Sequence, residues 1–301
     1  ARQLRSAGVT PVMVFDGASG ALRRGVEQRT VMGRRGCGPA QVVQTDADDQ
    51  AEIVLTGNRT VDGDESVFVA VYDYVEDGFQ WRYEYGRGQG EFALEMLADS
   101  VVDLDGDGDL EFVLSVYNND AEVEPGSMPE QLRDLDGISG PDSWTTIIYD
   151  ASTGEVVDFR EDARAVAVLQ VESRTRPVLI VRDAMRSIDE DHPDLDMTGY
   201  LLGTDGLEAV WQLPRARLVL QGLAPAAGCA PIAQALNVDV DGDGAREIMV
   251  ERFLDGDEHP DLLQRVSLRD DVAQVSADMP LTEVHNVVGV HAGEGMIEGS
   301  G

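Results

Sequence analysis

Short apolar runs rich in β-branched and aromatic residues alternate along this chain with clusters of Gly, Asp, Ser and Pro, the pattern of strands separated by turns. Phe112-Val113-Leu114, Val178-Leu179-Ile180-Val181 and Val67-Phe68-Val69-Ala70-Val71-Tyr72 are such runs. None approaches the length of a membrane span. Two signatures recur in alternation. One is a hairpin of the form aromatic-Asp-x-x-x-Gly-apolar, seen at 146–157, with one more residue before the Gly at 67–83 and in looser form at 199–211, with an opening hairpin at 10–28 and a weaker strand pair at 263–275. The other is an acid-rich loop directly ahead of an apolar run, at 44–52, 103–111 and 239–247, with a degenerate copy at 170–177 that carries Arg174 and Arg176.

Four strands in each repeat of roughly sixty to seventy residues predict an all-β chain, a β-propeller of four-stranded blades. Four complete repeats fall between about residues 37 and 280. The N-terminal hairpin 10–28 and a C-terminal strand at 284–291 are then expected to complete a fifth blade, making 1–301 one domain. Sharing a blade between the two ends closes the ring and removes free sheet edges.

The acid loops carry the candidate chemistry. Asp103, Asp105, Asp107 and Asp109 alternate with other residues, Gly106 and Gly108 among them, and Glu111 follows. Carboxylates this dense repel one another unless a hard cation lies among them, and oxygen ligands suit Ca²⁺. An EF-hand would need a Glu at the twelfth position, where this loop has Leu114, and the flanks are strands. Asp239, Asp241, Asp243, Ala245 and Glu247 repeat the pattern, including the ninth-position Glu. Asp46, Asp48, Gln50 and Glu52 form a weaker third set, in which Gln44 replaces the first acid.

These D-x-D-G-D-G-x-x-E loops, each followed by an apolar strand, resemble the FG-GAP/VCBS-type repeats of calcium-loop β-propellers, the family that includes the integrin α-subunit head. The resemblance implies that each loop joins an innermost strand to the second strand of its blade. It implies structural Ca²⁺ in two sites, with a weaker third, and a backbone carbonyl ligand from Asp109 and from Ala245, a position whose side chain is then free to vary.

Composition narrows the partners. With 57 acids against 23 bases, all of them Arg, the formal charge is −34. Three calcium ions would return only six positive charges, so the surface stays acidic and disfavours nucleic acid and anionic membrane. Cys37 and Cys229 sit in similar Gly-Cys-x-Pro contexts and are candidates for one disulfide, which suits an oxidising compartment. An extracellular, cell-surface or periplasmic location is therefore expected. No G-x-S-x-G elbow, H-E-x-x-H helix or phosphate-cradling loop occurs, and His192, His259, His285 and His291 read as loop or channel residues. The sequence-based expectation is a chain without catalysis that binds another protein, or serves as a subunit of a surface assembly, through its long connections, at 58–65, 118–143, 184–196 and 253–262, on the face opposite the calcium loops. The alternative is a carbohydrate-binding or polysaccharide-degrading propeller.

Overall fold

A computed structural model describes residues 10–15, 17–28, 40–46, 51–61, 64–73, 76, 78–88, 91–119, 130–132, 143–169, 176–183, 195–222, 233–235, 237–238, 247–254, 260–269 and 272–280. Apart from one 3-10 turn at Glu130–Leu132, every regular element among them is a strand. The chain opens with the antiparallel hairpin β1 (Thr10–Phe15) and β2 (Leu22–Gln28). Four sheets then follow in sequence order.

The first sheet is β3 (Ala40–Val43), β4 (Glu52–Val61), β5 (Asp64–Asp73) and β6 (Gly78–Gly88). The second is β7 (Glu91–Val102), β8 (Glu111–Asn119), β9 (Ser143–Asp150) and β10 (Val156–Glu161). The third is β11 (Ala163–Leu169), β12 (Val178–Asp183), β13 (Met197–Gly203) and β14 (Gly206–Leu213). The fourth begins with an interrupted strand, β15 (Ala216–Leu218), β16 (Leu220–Gly222), β17 (Ala233–Ala235) and β18 (Asn237–Val238). It continues through β19 (Glu247–Arg252), β20 (Leu262–Arg269) and β21 (Val272–Pro280). Both β15 and β18 pair with β19, whereas β16 and β17 pair with each other. Each sheet is an antiparallel meander, and the four coincide with the four repeats expected from the sequence.

The central strands are apolar on both faces because both faces are buried, and the second and third sheets are each packed on both sides by their neighbours. Phe112 and Leu114 of β8 join a buried cluster with Val54, Val71 and Trp81 of the first sheet. Val113, between them, points the other way into a cluster with Leu179, Val181 and Tyr200 of the third, as the two-residue period of a strand requires. The third and fourth sheets share a further core built from Ile180, Leu201, Ile248 and Val250. Burial on two faces is why these strands read as continuous apolar runs rather than as alternating ones.

The repeats share a register irregularity. One extra residue bulges from the fourth strand of every sheet: Gln80, Val157, Val210 and Ser276 each fall between paired positions. The residue after the bulge reaches across to the hairpin of the following sheet in the first two cases. Trp81 Nε1 donates to the Ala151 carbonyl at 2.8 Å, and Asp158 Oδ2 accepts from Leu207 N at 2.6 Å. Buried Tyr85 and Tyr149 also join hydroxyl to hydroxyl across the first two sheets.

The first strand is where the repeats differ. In β7, residues 97–100 stand opposite the single residue Val113. In the fourth sheet, Met249 stands between the pairs Leu218–Val250 and Asn237–Ile248, and β16 and β17 fall in the corresponding place. The third sheet has one extra residue there, Val166, and the first sheet has none. β17, inside the longest of these insertions, touches both β7 and β11, so the first strands of the second, third and fourth sheets converge. The expected C-terminal strand 284–291, the cysteines 37 and 229, and the histidines lie outside the described residues.

Candidate metal centre

The acid loop 103–110 joins β7 to β8, the first and second strands of their sheet. The other three loops, 44–51, 170–177 and 239–246, fall at the same connection of their own sheets. A turn this tight needs backbone that L side chains rarely adopt. Gly106 and Gly108 supply it, at φ 82° and 101°.

The loop is wound on its own carboxylates. Asp103 Oδ1 accepts from Gly106 N at 2.6 Å and its Oδ2 from Gly108 N at 3.2 Å. Asp105 Oδ1 accepts from Asp107 N at 3.1 Å, and Asp107 Oδ1 from Asp109 N at 2.8 Å. Glu111, the first residue of β8, is buried, and its Oε2 accepts from Leu104 N at 2.6 Å. Leu104 is itself buried in the core between the second and third sheets, so the loop is anchored from below by an apolar side chain and from the side by a carboxylate.

This winding brings together one carboxylate oxygen each from Asp103, Asp105 and Glu111, all within 4.8 Å of one another. Ligands on opposite sides of a Ca²⁺ ion lie at most about 5 Å apart, twice the Ca–O distance. The three groups therefore fit one hard cation. Asp107 and Asp109 are exposed and are not part of that triad. The electrostatics agree with the spacing. Burial, opposed by the bond from Leu104 and helped by repulsion from Asp105, Asp107 and Asp103, pushes the Glu111 carboxyl up to about 7. Burial also raises Asp105, against the bond from Asp107 and with repulsion from Asp107 and Asp103. Both shifts record carboxylates brought close without a compensating charge.

The other expected sites are seen in part. Glu247 opens β19 as Glu111 opens β8 and is fully buried, while Asp239, Asp241, Asp243 and Ala245 lie outside the described residues. In the weaker set, Glu52 opens β4, and its Oε2 accepts from Thr45 N at 2.7 Å and Thr45 Oγ1 at 2.9 Å. The spacing from Thr45 to Glu52 matches that from Leu104 to Glu111, so the first repeat keeps the same anchor. Asp46 is occupied differently: its Oδ2 accepts from Gln80 Nε2 at 2.8 Å, and Asp48 and Gln50 lie outside the described residues. Gln80 is the bulged residue of its sheet, and no spacing in the sequence signals that it reaches the loop.

A second group of polar side chains was not anticipated from the sequence. Asp183, the last residue of β12, accepts from Thr198 Oγ1 at 2.6 Å, from the Tyr200 hydroxyl at 3.3 Å and from Arg160 Nε at 3.5 Å. Arg160 comes from the preceding sheet and lies over the Tyr200 ring, 5.1 Å from its centre. These residues, scattered along the sequence, become neighbours only when the second and third sheets pack.

No protein-family model matches this chain, and no curated protein matches it. Among solved structures it resembles rhamnogalacturonan lyase YesW at 18% identity and a TM-score of 0.41, covering 81% of this chain and 49% of that one. It also resembles a Bacillus licheniformis rhamnogalacturonan lyase, at 17% identity and a TM-score of 0.40, with 87% of this chain and 55% of that one covered. The exotype rhamnogalacturonan lyase YesX gives 16% identity and a TM-score of 0.40 over 87% of this chain and 53% of that one. The chain thus spans about half the length of these structures. All three are enzymes by name, and the sequence-based expectation of a chain without catalysis is corrected on that finding. The reason it failed is physical: a search for local motifs finds nucleophile elbows and zinc helices, and does not find groups assembled from separate sheets. At these scores the likeness assigns this chain neither a substrate nor a catalytic residue.

Proposed function

We propose that this chain is a calcium-braced β-propeller that binds or processes polysaccharide outside the cytoplasm. The observation that carries the metal assignment is the convergence of Asp103, Asp105 and Glu111 oxygens within 4.8 Å, with the Glu111 carboxyl buried at the root of a strand. Calcium would neutralise that cluster and tie the first strand of the sheet to the second, so binding and folding are coupled. A second ion would sit in the loop ending at Glu247. Asp109 and Ala245 would each give a backbone carbonyl.

Ring closure is part of the same reading. Four meanders packed face to face in chain order, with first strands converging, support a propeller whose fifth blade combines the hairpin 10–28 with the strand 284–291. A Cys37–Cys229 bridge would span the narrow axis near the inner strands. Support for a saccharide ligand comes from the groove around Arg160 and Tyr200, where the Arg160 guanidinium and the Gln212 amide are exposed beside the buried Thr198 and Tyr200, with Ala209, Val210 and Trp211 also in the lining.

Thermal melts with calcium and with a chelator test the metal: the expected result is a fall of about 5–10 °C on chelation, with two calcium ions per chain by elemental analysis. An unchanged melting temperature and no bound calcium would remove the assignment. A glycan array combined with a pull-down tests the ligand class. Capture of a protein partner without retention of any glycan would replace the polysaccharide reading with a protein-interaction module.

A further inference from the structure

A groove of about 370 Å³ lies between the last strand of the second sheet and the outer strands of the third, apart from the acid loop. Its walls are Arg160 from β10, Asp183 from β12, Thr198 and Tyr200 from β13, and Ala209 and Gln212 from β14. Thr198 is paired with Gln212, and Tyr200 with Ala209, so all four side chains leave the same face of the sheet. Ala209 is exposed and small, which leaves the groove open beside Tyr200. The bulge at Val210 falls between these two pairs and turns the strand at the groove floor, a common device for re-aiming side chains.

The polar groups are held rather than free to swing. Asp183 receives bonds from Thr198, Tyr200 and Arg160. Arg160 is fixed from below by the Tyr200 ring. Only its Nε is used on Asp183 among the described residues, so the other donors of its planar fork remain for a ligand. Gln212 Nε2 donates to Asp196 Oδ2 at 2.8 Å, which orients the amide and leaves its carbonyl oxygen as an acceptor. Burial, with the Asp183 charge adding to it, raises Tyr200 further above its ordinary value, so the phenol stays neutral and keeps its proton.

Charge decides what this arrangement can hold. One guanidinium faces one carboxylate in the groove lining, and Asp196 behind Gln212 adds a second carboxylate, in a protein of net charge −34, whose field repels polyanions. Cations meet Arg160 and find the Asp183 oxygens already engaged. Apolar ligands would leave the Arg160 fork and the Gln212 carbonyl without partners, which is costly. What remains is a neutral molecule dense in hydroxyls, which can donate and accept at once. The volume sits at the low end of the range for small-molecule sites and suits one or two sugar rings.

We propose that this groove is a subsite for a neutral sugar unit, gripped through its hydroxyls by the Arg160 fork and the Gln212 amide against the Asp183–Tyr200 network. This rests on the polysaccharide reading above and deepens it by naming a place and a ligand class.

The test is residue-resolved amide NMR on the calcium-loaded full chain, titrated with neutral tetrasaccharides of galactan, xylan and glucan type, with tetragalacturonate and with inorganic phosphate. At least one neutral tetrasaccharide should shift the amides of 198–212 with a dissociation constant near or below about 1 mM. Arg160→Met and Gln212→Ala, both at side chains open to solvent, should each weaken that binding about five- to tenfold while leaving the melting temperature unchanged. Sugars that shift amides only elsewhere, or binding at 198–212 that survives both substitutions, would overturn the subsite and leave the polysaccharide reading standing. No response to any saccharide would remove both. Preferential binding of tetragalacturonate or phosphate in the groove would overturn the neutral class.

Discussion

On the calcium reading proposed above, Glu111 has two opposing roles, depending on whether the cation is present. Without metal, its carboxyl titrates near 7 instead of near 4.5, so the folded chain holds a proton that the unfolded chain releases. That stabilisation is complete below about pH 4.5 and is lost as pH rises through about 7, costing the metal-free protein about 2 kcal/mol once screening by water at the open side of the loop is allowed for. Denaturant melts in chelator at about pH 5 and about pH 8 should show this fall, and Glu111→Gln should flatten it. With calcium the sign inverts. The ion needs the deprotonated carboxylate, so Glu111→Gln should lower stability by about 2–3 kcal/mol in calcium at pH 8 while raising it in chelator. A variant destabilised equally in both conditions would place Glu111 in a purely structural role. The clustering of Asp103, Asp105 and Glu111 was legible in the sequence because alternate positions of one short loop are local information. Gln80 reaching Asp46, and Arg160 meeting Asp183, were not, since sheet packing alone brings those residues together.

At the scale of elements, the contact from the bulged fourth strand to the next hairpin joins the first sheet to the second and the second to the third. Gly154 shows how close that fit is. A Cβ there would stand 2.6 Å from Trp81 Cδ2, and the backbone is in the left-handed region at φ 74°. Gly154→Ala should therefore destabilise by about 2–3 kcal/mol, from backbone strain and displacement of the indole together. Trp81→Phe keeps most of the apolar contact but leaves the Ala151 carbonyl without its donor, for about 1–2 kcal/mol. Equilibrium denaturation measures both, and a Gly154→Ala protein as stable as the parent would show that the indole has room to move. Within the same hairpin, Asp150 accepts from Ser152 N, Ser152 Oγ and Thr153 N, which explains the repeated aromatic-Asp-x-x-x-Gly phrase. Burial alone would raise its carboxyl, yet these bonds outweigh it and hold it below the ordinary value. The strands themselves were readable because two-sided burial makes them unbroken apolar runs. Their insertions were not, because residues 97–100 carry no turn signature and interrupt β7 without changing its composition.

Over the whole molecule, the number of sheets followed from counting repeats, since each repeat is one meander that cannot cover both of its own faces. Closure did not follow in the same way: it depends on the two chain ends meeting, and no local pattern encodes that meeting. Removing residues 1–29 tests it. If hairpin 10–28 completes a blade, the truncated chain should melt at least about 10 °C lower and associate through its exposed sheet edges, read by calorimetry and light scattering. A truncated chain that melts with the full one and stays monomeric would leave the hairpin as an appendage.

The extra residues in the first strands have a use outside this protein's own biology. At the register of Val113, Ile180 and Met249, the same kind of sheet accepts anything from one added residue to the strand pair β16 and β17, while the pairs on either side hold. Such a position is a natural splice point. A foreign loop grafted there would be presented from inside a rigid frame, anchored at both ends by strands that already tolerate an insertion.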